Sequence, residues 1–213
     1  MNKSRRDFFG VSLVAAGTLA GGNALAQTFM GACKITPAQT EGPFYPIKDQ
    51  PDEDSDLTFV RGNTKSALGQ VIYVMGEVTD QDCAPVPNAL VEIWQACASG
   101  RYNHPNDTNP QPLDPNFQYW GKAVTDSQGI YKFKTIIPGA YPADVDWIRP
   151  PHIHFKAHKL GYHELTTQMY FAGNEYNDKD KILMALPPAS RSQVVVAIGE
   201  KGLCKFNLTL AKV

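Results

Sequence analysis

Short runs of alternating hydrophobic and polar residues, separated by closely spaced prolines and glycines, dominate this chain of 213 residues. Residues 89–94 show the pattern clearly, because Leu90, Glu92 and Trp94 would face one side of a strand and Ala89, Val91 and Ile93 the other. Long stretches with helical periodicity are missing outside the N-terminus. The pattern predicts strands at residues 71–78, 89–94, 121–125, 130–135, 152–158, 165–171, 194–198 and 204–210.

At least seven short strands without a helix-crossover pattern favour an all-β fold, an antiparallel β-sandwich, over a parallel sheet. No internal repeat or linker divides residues 27–213, so we expect one domain there, with residues 27–68 forming a loop-rich arm that lies on it. The longest interruptions, residues 101–120 and 172–192, are expected to be loops that are functional or mobile.

The first 26 residues have a different character. Ser4 to Phe9 includes the pair Arg5 and Arg6, an apolar run of about 13 residues follows, and Ala24 to Ala26 resembles a cleavage site. A membrane anchor is the alternative, but the run is shorter than the roughly 20 residues that span a bilayer. Residues 1–26 are therefore predicted to be a twin-arginine export signal, and the protein to be periplasmic.

Charge and cysteine content exclude some classes of function. The formal net charge of −1 implies no strong affinity for nucleic acid or other polyanions. The cysteines, Cys33, Cys83, Cys97 and Cys204, lack the close pairing of zinc or iron–sulfur sites. Disulfides are compatible with export, but the sequence does not choose among the three pairings, and free buried thiols are the alternative.

The segment Arg149 to Phe155 carries the strongest chemical signal. In a strand, His152 and His154 would share one face and could bind a single metal ion. Two imidazoles suit zinc, copper, nickel or iron, so a further ligand must decide. The next acidic residue is Glu164, ten residues after His154, which weakens the case for a ferrous site with two histidines and one carboxylate.

Tyrosine is the better candidate for the remaining ligands. Tyr141 lies in a predicted turn just upstream of the histidines, and Tyr102 follows the predicted strand that ends at Trp94. A phenol normally keeps its proton up to a pKa of about 10, but a trivalent cation such as Fe(III) can displace it. Such a site would suit a chelating catecholate.

Several segments in consistent order carry a resemblance to a known family: Gly100–Tyr102, Leu113–Phe117, Thr125–Gly129, Pro138–Pro142, Arg149–Phe155 and Thr167–Phe171. Together they resemble the intradiol ring-cleavage dioxygenases, most closely the iron-bearing (beta) subunit of protocatechuate 3,4-dioxygenase. The resemblance covers roughly residues 70–175 and is far more specific than the histidine pair.

The resemblance implies one non-haem Fe(III) per chain, bound by Tyr102, Tyr141, His152 and His154. It further implies that O2 cleaves a catechol-type, protocatechuate-like aromatic to a cis,cis-muconate derivative. Tyr141 would leave the metal when substrate chelates it, and Arg149 would act beside the ring. Gln168, Gly42 and Pro43 would bind substrate.

Residues 40–43 resemble an arm that belongs to the partner chain in two-subunit relatives. One chain here could therefore supply both halves of the pocket, and a homo-oligomer is a possible assembly. Ala143 replaces an expected tryptophan, and Gln118, Tyr119 and Trp120 would add bulk near the pocket.

Two other classes of function remain open at this point. One is an exported β-sandwich binding module without catalysis, in which a metal is structural or absent. The other is a copper or ferrous oxygenase that uses only the two histidines.

Overall fold

The computed structural model describes residues 32–48, 50 and 52–213, so the predicted export signal lies outside the described residues. The described chain is mostly β-structure with a few short helices. The strands are β1 (Val71–Asp80), β2 (Leu90–Trp94), β3 (Trp120–Val124), β4 (Ile130–Ile136), β5 (Tyr141–Asp144), β6 (Trp147–Arg149), β7 (His152–His158), β8 (Leu165–Phe171), β9 (Val195–Val196), β10 (Leu203–Lys205) and β11 (Leu208–Leu210). The helices are α1 (Lys181–Ala185) and α2 (Pro188–Arg191), with 3-10 turns at Asn177–Lys179 and Glu200–Gly202.

Two sheets and one hairpin organise these strands. In the first sheet, β1 pairs with β4 along one edge and with β10 and then β11 along the other. The second sheet has the order β3-β2-β7-β8-β9, and β5 and β6 form a separate hairpin.

The larger of the two buried hydrophobic clusters among the described residues lies between the two sheets. Alternate residues of β1, including Ile72 and Val74, enter it from the first sheet, and Ile153 and Phe155 enter it from β7. Phe155 contacts Tyr131 of β4 across the gap, with ring centroids 6.1 Å apart. The structure is therefore a β-sandwich. The second sheet has another face, which points away from this core and can hold a functional site.

The predicted strands are largely confirmed. Strands β7 and β8 have the predicted bounds, while residues 194–198 contribute only Val195–Val196. Residues 204–210 divide into two strands at Phe206 and Asn207, where the Asn207 side chain accepts a hydrogen bond from the backbone N–H of Glu77.

The prediction of purely antiparallel pairing was wrong. Strand β1 pairs in parallel with both β10 and β11, and β8 pairs in parallel with β9. Alternation of polar and apolar residues has the same period in either direction, so it does not encode strand direction.

The prediction of loop throughout residues 172–192 was also wrong, because α1 and α2 lie there. Asp180 is the N-cap of α1, and its side chain accepts hydrogen bonds from the backbone N–H groups of Ile182 and Leu183. The predicted turn at Tyr141 is instead the start of β5. In the described residues no helix is long and apolar enough to cross a membrane.

No strand forms in the described part of the arm, residues 32–48, 50 and 52–68. Thr36 hydrogen-bonds with Thr209 of β11 in the first sheet, and the residues that follow lie along β8 of the second sheet. The backbone N–H of Gln39 donates to the carbonyl oxygen of Thr166, and the side-chain Oε1 of Gln39 accepts from the backbone N–H of Gln168. Gln39 thus covers the part of the β8 edge that precedes the pairing of β8 with β9. A disulfide joins Cys33 to Cys83, whereas Cys97 and Cys204 are buried free thiols.

Candidate metal centre and substrate cavity

His152 and His154 lie on the face of β7 that points away from the core. Both are 2% exposed, and their ring centroids are 4.9 Å apart. Nδ1 of His152 donates to the carbonyl oxygen of Pro150 at 2.7 Å, because a carbonyl can only accept. In the neutral ring, this bond leaves the lone pair on Nε2 available. His154 stacks on Trp94, its partner on β2, with ring centroids 4.8 Å apart and planes at 12°.

Tyr102 reaches the histidines from the loop that follows β2. Gly100 has a φ of +82°, and a Cβ there would lie 2.4 Å from the carbonyl oxygen of Ala140. Glycine is therefore required for the loop to pack directly against the residues before β5. This close approach places Tyr102 next to Tyr141, with ring centroids 5.6 Å apart.

The four predicted ligand side chains come together at one point. The Tyr102 hydroxyl lies 3.4 Å from Nε2 of His152, and the ring of Tyr141 lies 5.7 Å from that of His152, centroid to centroid. The Tyr102 ring is 6.2 Å from that of His154. Both tyrosine rings therefore lie close to the imidazoles, and binding of one ion by all four side chains requires this closeness.

Burial controls the electrostatics of the cluster. It is the main reason that the pKa of each histidine lies well below its usual value, and the nearby charge of Arg149 acts in the same direction. Both imidazoles are therefore neutral, which is the form that binds metal. Burial also raises the pKa of Tyr102 and Tyr141, so a strong additional positive charge is needed to ionise these phenols.

Arg149 is the cross-strand partner of Tyr141 in the β5–β6 hairpin, and it is 4% exposed. Its Nε donates to Asp180 at 2.6 Å, and its Nη2 donates to Gln168 at 2.7 Å and to the Tyr170 hydroxyl at 3.3 Å. Burial by itself would lower the pKa of Arg149, but Tyr141, Tyr170 and Asp180 together raise it. The guanidinium therefore stays charged and is held in one orientation.

Asp180 is a site residue that the sequence analysis missed. It is fully buried and joins Arg149 to the first turn of α1. The available signal was an aspartate two residues before the apolar run Ile182 to Met184, which is typical of a helix N-cap. That signal predicts a helix start but not the contact with Arg149.

A cavity of about 530 Å³ opens onto the cluster. Tyr141, His154 and Arg149 form part of its wall, and so do Gly42 and Pro43 of the arm. This volume lies within the usual range for small-molecule sites, roughly 300–1,000 Å³. Gly42 approaches closely, because a Cβ there would lie 3.4 Å from Cε1 of His154.

Other residues expected at the pocket lie elsewhere. Gln168 is fully buried behind Arg149, its Nε2 donates to the carbonyl oxygen of Thr40, and it is absent from the cavity wall in the described structure. Gln118, Tyr119 and Trp120 are also outside that wall, but Trp120 packs in the same buried cluster as Tyr102 and Tyr141. Ala143 does line the cavity.

The side chains at this point differ from a metal site built on thiolates or carboxylates. Across residues 32–48, 50 and 52–213, no group of three or more His, Cys, Asp or Glu side chains could bind a metal. Nδ1 of His154 is buried without a hydrogen-bond partner in the same set of residues. Two neutral imidazoles beside two phenols suit a hard, highly charged cation that can ionise tyrosine, rather than zinc in a thiolate site.

Known dioxygenases have sequences similar to that of this chain. A family model described as Dioxygenase matches residues 40–203. The protocatechuate 3,4-dioxygenase beta chain of Burkholderia cepacia is 43% identical over 157 residues, which is 72% of this chain and 66% of that protein. Chlorocatechol 1,2-dioxygenase of Pseudomonas sp. (strain P51) is 34% identical over 51% of this chain and 47% of its own. The chain thus spans about half to two thirds of the length of these relatives.

Solved structures share the fold. 3-Chlorocatechol 1,2-dioxygenase from Rhodococcus opacus 1CP matches with a TM-score of 0.67 and 26% identity, over 84% of this chain and 73% of its own. The dioxygenase domain of a carbohydrate-binding fusion protein from Streptomyces sp. SirexAA-E matches with a TM-score of 0.63 and 29% identity, over 84% of this chain and all of its own. The resemblance found in the sequence is confirmed, and the chain belongs to the intradiol ring-cleavage dioxygenase family.

Proposed function

We propose that this protein is a non-haem Fe(III) dioxygenase that cleaves a catechol-type aromatic diol with O2, between the two hydroxyl-bearing carbons, to a cis,cis-muconate derivative. The observation that carries the proposal is the convergence of Tyr102, Tyr141, His152 and His154 beside a cavity of about 530 Å³. Family membership supports the reaction class.

The four converging residues would bind one Fe(III). When bound, the ion would ionise the phenols, accept the two oxygens of a chelating diol and bring the electron-rich ring into reaction with O2. Nε2 of His152 faces the Tyr102 hydroxyl. The hydrogen bond from Nδ1 of His152 to the carbonyl oxygen of Pro150 fixes the orientation of the imidazole ring.

The two tyrosines are suited to different roles. Tyr102 is 3% exposed and packs under Phe44, with ring centroids 4.6 Å apart, whereas Tyr141 is 8% exposed and forms part of the cavity wall. Tyr141 is therefore the phenol whose oxygen can take a proton from an incoming diol. Tyr102 would remain a permanent ligand.

Arg149 would stabilise negative charge on the reacting ring. Its Nε and Nη2 make the bonds to Asp180, Gln168 and Tyr170, so Nη1 is the nitrogen best placed to face the cavity. A charged donor held rigidly in a buried site stabilises developing charge without reorganising.

Metal content, colour and oxygen uptake test the proposal together. We expect purified protein to contain iron, to absorb visible light through tyrosinate ligation, and to consume O2 with catechols. Tyr141→Phe should abolish turnover and change the visible band, whereas Tyr73→Phe, which removes a half-exposed hydroxyl on β1, should change neither.

The two alternative functions give different results in this experiment. A colourless protein that takes up no oxygen would indicate a binding module, and copper or ferrous iron without a tyrosinate band would indicate an oxygenase that uses only the histidines. Either result would refute the proposed site.

We further propose that the protein is exported by the twin-arginine route to the periplasm. The paired Arg5 and Arg6 support this route, and the Cys33–Cys83 disulfide suits an oxidising compartment. Cell fractionation of wild type and of a double Arg5→Lys, Arg6→Lys variant tests it. Export of the variant at the wild-type level would refute it.

A further inference from the structure

The charged groups on the cavity wall carry information about the substrate. Apart from His154, the ionisable side chains in the wall of the described structure are Arg149, Tyr141 and Asp107. The positive charge of Arg149 is already matched by Asp180, which is fully buried and 2.6 Å away. Asp107 has no such compensation within the wall.

Asp107 is held in a fixed orientation. Its Oδ2 accepts the backbone N–H of Tyr102 at 2.6 Å, and its Oδ1 accepts that of Asn109 at 2.8 Å. These two hydrogen bonds hold the carboxylate beside Tyr102.

The remaining wall is neutral. Aromatic and aliphatic surface comes from Phe44, Trp147 and Ile182, and neutral polar groups come from Asn106 and Thr108. Lys181 lies close to this surface, with its Nζ 5.0 Å from the centre of the Trp147 ring, but it is exposed and outside the wall.

We propose that the cavity selects catechols whose ring substituents carry no negative charge, and that Asp107 is a specificity-determining residue. This inference rests on the proposed function and narrows its substrate class. A carboxylate on the ring would lose its hydration without gaining an unpaired cation, because Arg149 is already paired with Asp180, and it would experience repulsion from Asp107. Selection against the anion is therefore built into the wall.

A pair of substrates with nearly the same shape tests the inference. Protocatechuate carries a carboxylate at neutral pH, and 3,4-dihydroxybenzamide replaces it with an uncharged amide. Using the full purified protein, we expect kcat/KM for the amide and for unsubstituted catechol to exceed that for protocatechuate by about tenfold or more. Added salt should raise kcat/KM for protocatechuate selectively, because it screens the repulsion.

Two variants test whether Asp107 causes the difference in kcat/KM between the amide and protocatechuate. Asp107→Asn should reduce the ratio of amide to acid several-fold, whatever its effect on overall activity. Asp146→Asn removes the same charge from an exposed position between β5 and β6, and it should leave the ratio unchanged. The wild-type ratio and its salt dependence test the inference even if Asp107→Asn does not fold.

The outcomes separate the two levels of the proposal. If no diol is oxidised by iron-loaded protein, the proposed function fails. If diols are oxidised but protocatechuate equals or exceeds the amide, the inference fails while the proposed function stands. Loss of that protocatechuate activity in Lys181→Met would then identify Lys181 as the carboxylate partner.

Discussion

Asp180 accepts a hydrogen bond from Nε of Arg149 at 2.6 Å through one carboxylate oxygen, and it caps the first turn of α1 with the other. The pair is almost completely buried, with side-chain exposures of 0% for Asp180 and 5% for Arg149. One carboxylate therefore orients the positive charge beside Tyr141 and fixes the helix that carries Ile182 to the cavity.

Asp180→Asn is expected to be strongly destabilising. It keeps the size of the side chain but leaves the Arg149 charge buried without a counterion, which typically costs 3–5 kcal/mol. Urea unfolding should show a loss of about 3 kcal/mol or more, and kcat/KM should fall with it. Glu164→Gln removes an exposed carboxylate near His158 and should cost less than about 1 kcal/mol. Equal losses in both variants would contradict the role given to the buried pair.

Gly42→Ala tests the close approach of the arm to the site. Gly42 has a φ of +74°, and an added Cβ would contact Cε1 of His154. Gly173→Ala provides the matched control, because its φ is +78° and nothing lies within 4 Å of its Cβ position. Both should lose about 1 kcal/mol of stability from backbone strain, but only Gly42→Ala should also lower kcat/KM. Equal kcat/KM values in the two variants would show that the arm does not shape the site.

The Cys33–Cys83 disulfide is expected to stabilise the arm on the domain. It joins residues separated by 50 positions, and closing a loop of that length typically contributes 2–4 kcal/mol. Replacing both cysteines with serine should lower the free energy of unfolding by about that amount and make it insensitive to reductant. Cys204→Ala, at a buried free thiol, should retain the reductant sensitivity of the wild type.

Asp80 is expected to contribute to the acid sensitivity of the fold. Burial opposes ionisation, but hydrogen bonds from Lys212 and from the backbone N–H groups of Ala84 and Asp82 outweigh it and lower the pKa of Asp80. The folded state therefore binds fewer protons than the unfolded state, in which the pKa is about 3.9, so this stabilisation is present at neutral pH and is lost as the pH falls below about 4.

Urea midpoints at pH 7 and pH 3 measure this contribution. Asp80→Asn should be less stable than wild type at pH 7 and should lose less stability on acidification. Asp82→Asn changes an exposed carboxylate that binds the same lysine, and it should behave like wild type. An identical acid response of Asp80→Asn and wild type would refute the assignment.

The sequence by itself determined the strands and the ligand candidates. The alternation in residues 152–158 and 165–171 is local, so it predicts β7 and β8 with their bounds and puts His152 and His154 on one face. Tyr102 and Tyr141 were candidates from their positions along the chain and from the chemistry of phenols, and the family resemblance then implied that they are ligands. The local sequence pattern is sufficient to predict which face of a strand a side chain occupies, because that depends only on its position within the strand.

Only the tertiary structure decided what surrounds those residues. The contact of Asp180 with Arg149, the position of Gln168 behind that arginine, and the presence of Asp107 on the cavity wall each join segments that are distant in sequence. The parallel pairing of β10 and β11 with β1 was equally unpredictable, because a period of two is the same in both directions. The charge of a buried site depends on which counterions the fold brings within a few ångströms, and no local pattern records that distance.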